Sequence, residues 1–415
     1  MNRKISLGIT ISLIAIGCAI TFVLTWTVSL GIYNSKIASS EKYEGVYEKL
    51  KEMDAIVRSN YIGAGQINDD NLANAIMSGY VSGIGDRYAS YMPANSYYEL
   101  QQTTSGVVSG AGFQAADNGS GYLVITGVYK NGSAEANGVM VGDVITAIEG
   151  RSLLNMDSSD AFNRISGEIG TTLSLTLVRD GKEISVTLIR QQIEIESVTD
   201  QLLENRIGYI KITTFNEKTA DQFSTALNSL TRRNLNALII DLRQNGGGVV
   251  SALKPMLNKI INSAVVATAE YLDGSRKTLI ETDSEESLNI PIAIIVDGGT
   301  ASAAELFAVA LRDEHSAVLI GTQTYGKAVM QTTYGFEDGS GFTFSTATIL
   351  PSKSAPYDGT GLKPDYIVEL PAGTTIEYLT RDSDTQLQKA VEILTPEIAQ
   401  GEQANGGEQS DPGAQ

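Results

Sequence analysis

The 415-residue chain is short of the residues on which many active sites depend. It has one cysteine, Cys18, and one histidine, His315. A single cysteine allows neither an internal disulfide nor a cysteine-rich zinc site, and a single histidine allows no histidine cluster around a metal. Any nucleophile activated by histidine would have to use His315. Positive charge is scarce too: 30 Lys and Arg stand against 48 Asp and Glu, a formal net charge of −18. A surface that tracks nucleic-acid phosphates needs the opposite excess, so no nucleic-acid partner is expected. What is present, 42% hydrophobic and 19% charged residues, is globular in character, and the length predicts two or three domains.

Charge is also missing locally. Ile5 to Ser35 contains no charged residue, and it lies between Arg3-Lys4 and Lys36. About 20 apolar residues span a bilayer as a helix, so this run is long enough to cross with some tilt. Arg3 and Lys4 favour a cytoplasmic N-terminus, which predicts an anchor over residues 1–36 and everything after it outside the cytoplasm. A cleavable signal peptide, giving a secreted protein, is the rival. Its apolar region is usually shorter and ends in an A-x-A-like site. Ala15-Ile16-Gly17-Cys18 could be read as a lipoprotein signal, but apolar sequence continues well past the cysteine, and Cys18 reads as a small apolar residue of the anchor.

The remainder divides by period. Val46, Leu50, Met53 and Val57 have helical spacing, and a second helix is expected over Asp70 to Ser82, giving an N-terminal helical region at 37–105. Gly85 to Pro93 breaks the pattern and reads as a packed turn. From 106 to 191 short alternating runs predict strands: Leu123-Val124-Ile125, Val144 to Ile148, Leu173 to Val178 and Ile184 to Leu188, the last two joined by a hairpin signal at Asp180-Gly181. A short helix is expected over Asp157 to Ile165. From 192 to 395, buried-strand runs such as Ala237 to Leu242 and Ile292 to Val296 alternate with helical stretches such as Ala301 to Arg312, an α/β pattern. The Gly-, Gln- and Glu-rich stretch at 396–415 is expected to be a disordered tail.

Six motifs stand in order along this frame. Gly110-Ala111-Gly112-Phe113 and Asn131 to Ile145 resemble a PDZ domain. Together with them, Asp241-Leu242-Arg243-Gln244-Asn245-Gly246-Gly247, Ser302-Ala303-Ala304-Glu305, Thr324-Tyr325-Gly326-Lys327 and Gly361-Leu362-Lys363-Pro364-Asp365 resemble the carboxyl-terminal processing peptidases, also called tail-specific proteases. The resemblance covers roughly residues 41 to 395. It implies N-terminal helices, a PDZ-like β module and a ClpP/crotonase-like α/β serine-protease core.

The residues themselves leave alternatives open. Ser302 lies where a strand gives way to a helix, and Ser302-x-x-Glu305 is also a capping box; the resemblance makes Ser302 the nucleophile. His315 lies 13 residues further along the same helix, about 20 Å away, too far to serve as its base. Lys327 has no charged neighbour in sequence. Burial can bring a lysine from about 10.4 toward 7 to 8, where it accepts protons, although a surface lysine in a loop would look similar. The resemblance makes Lys327 the base, with Gln331 orienting it as Asp orients His in a triad. Asn245-Gly246-Gly247-Gly248 reads as an anion nest or as a plain turn; the resemblance implies that Gly247 and Ala303 amides hold the oxyanion. It also implies that Gly110, Ala111, Gly112 and Phe113 take the carboxylate of a peptide C-terminus by strand addition. This chain departs from the family at Ala134, Ser166 and Ala328, where Pro, Arg and Gly are usual.

The function expected is that of a membrane-anchored serine endopeptidase acting outside the cytoplasm on protein or peptide substrates with free C-termini. No metal or organic cofactor is implied, and a homo-oligomer or a regulatory protein partner remains open. A catalytically idle adaptor binding C-termini through the PDZ-like module is the alternative. An acyl-thioester enzyme sharing the core would explain neither the anchor nor the module.

Overall fold

The computed structural model describes residues 44–406, apart from Asp157, Glu286, Thr375, Glu377 and Tyr378. The expected anchor at 1–36, the first residue of the helix expected from Asp157 and the last part of the expected tail lie outside the described residues. Among those described, no helix is long and apolar enough to cross a membrane. Two units divide at residue 76. In the first, α1 (44–60) carries the expected apolar spacing, and Arg58 pairs with Asp54 at 2.8 Å and Asp69 at 2.5 Å. Helix α2 (Asp69–Ser82) starts one residue before its expected position and runs across the boundary.

The second unit then has β1 (Ser90–Met92) and α3 (Ala94–Ser105), so the stretch expected to be a packed turn also supplies a strand. Three residues are too few to show alternation, and their pairing partner lies some 250 residues away in the chain. After them, β2 (Val107–Gly110) leads into a module of β3 (Phe113–Asp117), β4 (Leu123–Val128), α4 (Ser133–Ala136), β5 (Val144–Ile148), β6 (Arg151–Ser152), α5 (Ser158–Ile165), β7 (Thr172–Arg179) and β8 (Lys182–Ile189). The sheet order is β3-β4-β5-β7-β8, antiparallel throughout, with β6 on β5. Its inward faces, including Leu123, Ile125, Ile145, Leu173, Leu175 and Leu177, form a core of their own. Asp180 and Gly181 both have positive φ, 51° and 74°, as a type I′ hairpin requires. The chain leaves through β9 (Gln191–Glu194), which pairs with β2, so entry and exit form one ribbon.

The remaining elements are β10 (Val198–Leu202), β11 (Ile207–Ile212), α6 (Thr219–Thr231), β12 (Ala237–Asp241), α7 (Leu253–Leu257), β13 (Ala264–Tyr271), β14 (Arg276–Thr282), β15 (Ile292–Val296), α8 (Ala303–His315), β16 (Val318–Gly321), β17 (Val329–Gly335), β18 (Gly341–Pro351), β19 (Tyr366–Ile367) and α9 (Thr385–Gly406). The central sheet runs β10-β11-β12-β15-β16-β19, parallel from β11 onward. Leu238, Ile240, Ile294 and Val296 on one face pack among α6, α7 and α8, while Ile239, Ala293 and Ile295 on the other meet Ala390 and Leu394 of α9. Covered on both faces, these strands read as unbroken apolar runs rather than alternation. A second sheet, β1-β18-β13-β14 with β17 on β18, is antiparallel.

Helix α9 does not stop at 395 as expected but continues through Pro396 to Gly406. Proline removes one N–H donor from the ladder. Leu387, Ala390, Val391, Leu394 and Ile398 nevertheless recur at helical spacing and pack on one cluster, which carries the helix past it.

Candidate active site

Strand β15 ends at Val296, and Asp297 to Ala301 turn the chain into α8, whose first residues Ala303 to Leu311 are all buried. Ser302 is the N-cap. Its φ of 56° and ψ of −119° are a backbone conformation that a non-glycine residue adopts only under constraint, and such strain gathers at functional turns. Asp297 supplies part of that constraint. Its carboxylate accepts from Gly299 N (2.9 Å), Gln244 N (2.9 Å) and Gln244 Nε2 (2.8 Å), and so ties the turn to the loop after β12. Ala301 N donates to Asn245 O at 2.9 Å, and Thr300 Oγ1 donates to Leu242 O at 2.8 Å.

These bonds hold the glycine loop against the serine. A Cβ on Gly247 would lie 2.8 Å from Ser302 Cβ and 2.9 Å from Ala303 N, so only glycine fits, and its φ is +99°. The structure therefore brings Gly247, Ser302 and Ala303 together. It also shows what sequence could not: Gly247 N donates to Asn245 Oδ1 at 2.9 Å, so the amide named for the oxyanion is engaged within its own loop. Ala303, as the first residue of α8, carries one of the N–H groups that a helix leaves without an internal partner.

The expected base, Lys327, lies on the loop before β17. Lys327 is half-buried, and its Nζ donates to Gln331 Oε1. Gln331 Nε2 donates in turn to Tyr88 O at 2.7 Å. Burial pushes the lysine below its ordinary value, and Asp86 opposes that shift with its negative charge. Ala328, where glycine is usual, is fully buried and is not among the positive-φ residues, so the alanine imposes no strain. Its N–H donates to Asp358 Oδ1 at 3.0 Å.

Glu305 joins the two halves. Sequence reading treated it as a helix cap, and its Oε2 does accept from Ser302 N at 3.0 Å. The same oxygen accepts from Lys327 N at 2.8 Å, while Oε1 accepts from Gly326 N at 2.7 Å and Thr324 Oγ1 at 2.5 Å. The carboxylate is wholly buried, with four donors and no basic side chain among them. Burying a charge costs several kcal/mol unless hydrogen bonds compensate, so these four are required together, and they hold the serine turn and the lysine loop on one anchor. A lone acid ahead of the apolar run Leu306 to Leu311 was the available signal. His315, by contrast, ends α8, and a ring nitrogen lies 3.0 Å from Ile290 O; it is part-buried rather than a solvated helix end, and far from Ser302.

Behind the glycine loop, Arg243 is 3% exposed and is shared by Asp241 (2.5 Å) and Asp384 (2.8 Å), with Gln386 Oε1 at 3.1 Å. Tyr209 OH donates to Asp241 Oδ2 at 2.6 Å. This network fixes the start of α9 to the end of β12, and removal of one member would strand a buried charge.

The other predicted group, Gly110 to Phe113, lines a cavity of about 500 Å³ together with Phe162 and Ile165 of α5. Ala111 O accepts from Ala134 N and Gly112 O from Tyr129 N, both at 2.9 Å. In a planar trans peptide the N–H points opposite to its carbonyl, so the Gly112 and Phe113 N–H groups face away from these inward bonds. Strand β3 is the edge of its sheet. Arg190, 7% exposed, donates to the carbonyls of Arg164 (2.6 Å) and Ile165 (3.0 Å) and caps the end of α5.

Comparison with known proteins finds relatives along most of the chain. The family model described as peptidase family S41 matches residues 206–368, and the PDZ domain model matches residues 101–178. The carboxy-terminal processing protease CtpA of Bacillus subtilis (strain 168) is 30% identical over 385 residues, spanning 92% of this chain and 81% of that protein. A probable CtpA-like serine protease of Staphylococcus saprophyticus is 27% identical over 392 residues, 93% of this chain and 78% of its own length. Among solved structures, a photosystem II D1 C-terminal processing protease is similar at 24% identity and a TM-score of 0.44, over 71% of this chain and 82% of that one.

Proposed function

The chain belongs to peptidase family S41, and from that premise we propose a Ser302–Lys327 mechanism for it. It is a serine-type C-terminal processing protease with a PDZ domain ahead of the protease domain. In the reading we favour, neutral Lys327 takes the proton of Ser302 Oγ as that oxygen attacks the scissile carbonyl. The developing oxyanion is met by Ala303 N–H and by Gly247 N–H, which exchanges Asn245 Oδ1 for it. Lys327 then delivers the proton to the leaving amine, and water repeats the cycle on the acyl-enzyme. Gln331 keeps Nζ in place throughout. The observation that carries this reading is Lys327 itself: half-buried, held by Gln331, and tied with Ser302 to one Glu305 carboxylate.

Residues 106–191 are taken as the substrate-selecting domain, with the N–H groups of Gly110 to Phe113 receiving a terminal carboxylate and β3 pairing with the tail. Residues 1–36 are taken as a single-pass anchor that leaves the protease outside the cytoplasm. The basis is Arg3-Lys4 ahead of the uncharged run. The full chain in detergent, incubated with an unfolded protein, tests the chemistry. Ser302→Ala and Lys327→Arg are each expected to lower cleavage about 10³-fold or more, since a guanidinium stays protonated. His315→Ala is expected to cleave normally. An inactive His315→Ala beside an active Lys327→Arg would overturn the mechanism.

A further inference from the structure

The turn at Gly85 to Pro93, which sequence offered only as packing, enters the site. Strand β1 pairs with β18 in the register Ser90↔Thr343, Tyr91↔Phe342 and Met92↔Gly341, and this delivers the preceding residues to Lys327. Tyr88 touches the base assembly at three points. Its carbonyl accepts from Gln331 Nε2 at 2.7 Å, its ring centroid lies 5.0 Å from Lys327 Nζ, and its hydroxyl donates to Gly326 O at 3.2 Å. Asp86 is fixed by Ser345 N (2.7 Å), Ser345 Oγ (3.1 Å) and Tyr88 N (2.9 Å). Burial works against its charge, but these bonds outweigh burial and hold its carboxyl below the usual range, so it is an anion near Lys327.

We propose that Asp86 and Tyr88 are positioning residues for the Ser–Lys reaction: Tyr88 seats Lys327 and Gln331 through its ring and carbonyl, and Asp86 fixes Tyr88 against β18. The proposal rests on the Ser302–Lys327 reading above. Other charged or titratable groups around the lysine have their own engagements. Glu305 binds its backbone N–H, Asp358 binds Ala328 N, and Arg87 binds Gly326 O at 3.2 Å and lies 3.7 Å from Asp358. Tyr325 is exposed beside it in sequence. Asp86 is the carboxylate whose charge acts on the lysine, against the drying effect of burial. The sign follows. Only the neutral amine accepts a proton, an adjacent anion favours the ammonium, and removal of that anion lets the amine become neutral at lower pH.

The test measures kcat and KM against pH with a quenched peptide that ends in a free carboxylate, using the full chain in detergent. Asp86→Asn can still accept from Ser345, and its acid limb is expected to move about one unit toward lower pH. Asp86→Glu restores the charge and is expected to bring the limb back toward the wild-type position. Tyr88→Ala is expected to lower kcat about tenfold or more while KM changes little, because displacement of a catalytic group acts on the chemical step. Tyr88→Phe keeps the ring and is expected to lose less. A merely structural role would depress every Asp86 variant in parallel without moving the limb, and that result, or equal kcat for the two Tyr88 variants, would overturn the proposal. Should either Asp86 variant fail to fold by circular dichroism, the Tyr88 pair decides. Activity retained by Lys327→Arg in the same assay would instead bring down the Ser–Lys reading, so the two failures are distinct.

Discussion

The two sheets of the second unit solve burial differently, and their sites differ accordingly. The module sheet β3-β4-β5-β7-β8 is antiparallel, with one face packed, as the alternating burial along β7 records. Its candidate site is an open edge, β3, beside a helix, where the proposal has backbone groups hold a tail. The central sheet is parallel from β11 onward, and its inner strands β12 and β15 are buried at every residue. Its candidate residues sit on loops beyond the carboxyl ends of those strands, where open α/β sheets place their chemistry. An edge selects by shape and main-chain pairing, whereas loops stacked on a rigid sheet can hold a strained serine and a half-buried lysine. In the function proposed here, selection is assigned to the first region and catalysis to the second.

The comparison breaks most readily at Glu305. Glu305→Gln puts an amide donor among four donors, so cleavage is expected to fall about 100-fold. Stability is expected to drop by about 3 kcal/mol, read as a lowered Tm together with a lost rate. An unaffected rate would mean that the serine and lysine loops hold their places independently. A smaller effect, confined to binding, is expected in the module. A Cβ on Gly112 would lie 2.9 Å from Gly132 Cα, and its φ is +94°. Gly112→Val is therefore expected to raise KM about tenfold for a peptide with a free C-terminus, with kcat little changed, and amidation of that terminus should mimic it. A fall in kcat alone would show that the module acts on catalysis rather than capture. The smallest effect is expected at the hairpin, where Gly181→Ala must hold positive φ at a cost of about 1 kcal/mol. Differential scanning calorimetry should register that change while cleavage persists; a lost rate would couple module stability to the core.

Legibility followed the same division. In the module, alternation over Leu173 to Val178 and Ile184 to Leu188 and the Asp180-Gly181 signal predicted β7, the turn and β8 to within two residues. In the core, unbroken apolar runs located β12 and β15. Helix α9 was cut short in the sequence reading because Pro396 is a strong local signal, whereas the packing of Ile398 on the far side is a tertiary one.

The sequence alone determined whatever depends on neighbours within a few residues or on composition. This includes the strand and helix periods, the type I′ turn, the exclusion of an internal disulfide and of a histidine cluster, and the ordered motifs whose family resemblance implied Ser302, Lys327 and Gln331. Tertiary structure decided who touches them. Glu305 serves two loops, Asn245 takes the Gly247 amide, and Tyr88, itself bonded to Asp86, reaches Lys327 and Gln331 from more than 200 residues away. The reason is physical: a period reports which face of an element is dry, but a buried carboxylate or a half-buried ammonium is settled by the few polar groups that the packed chain brings within about 3 Å, and no local pattern encodes those.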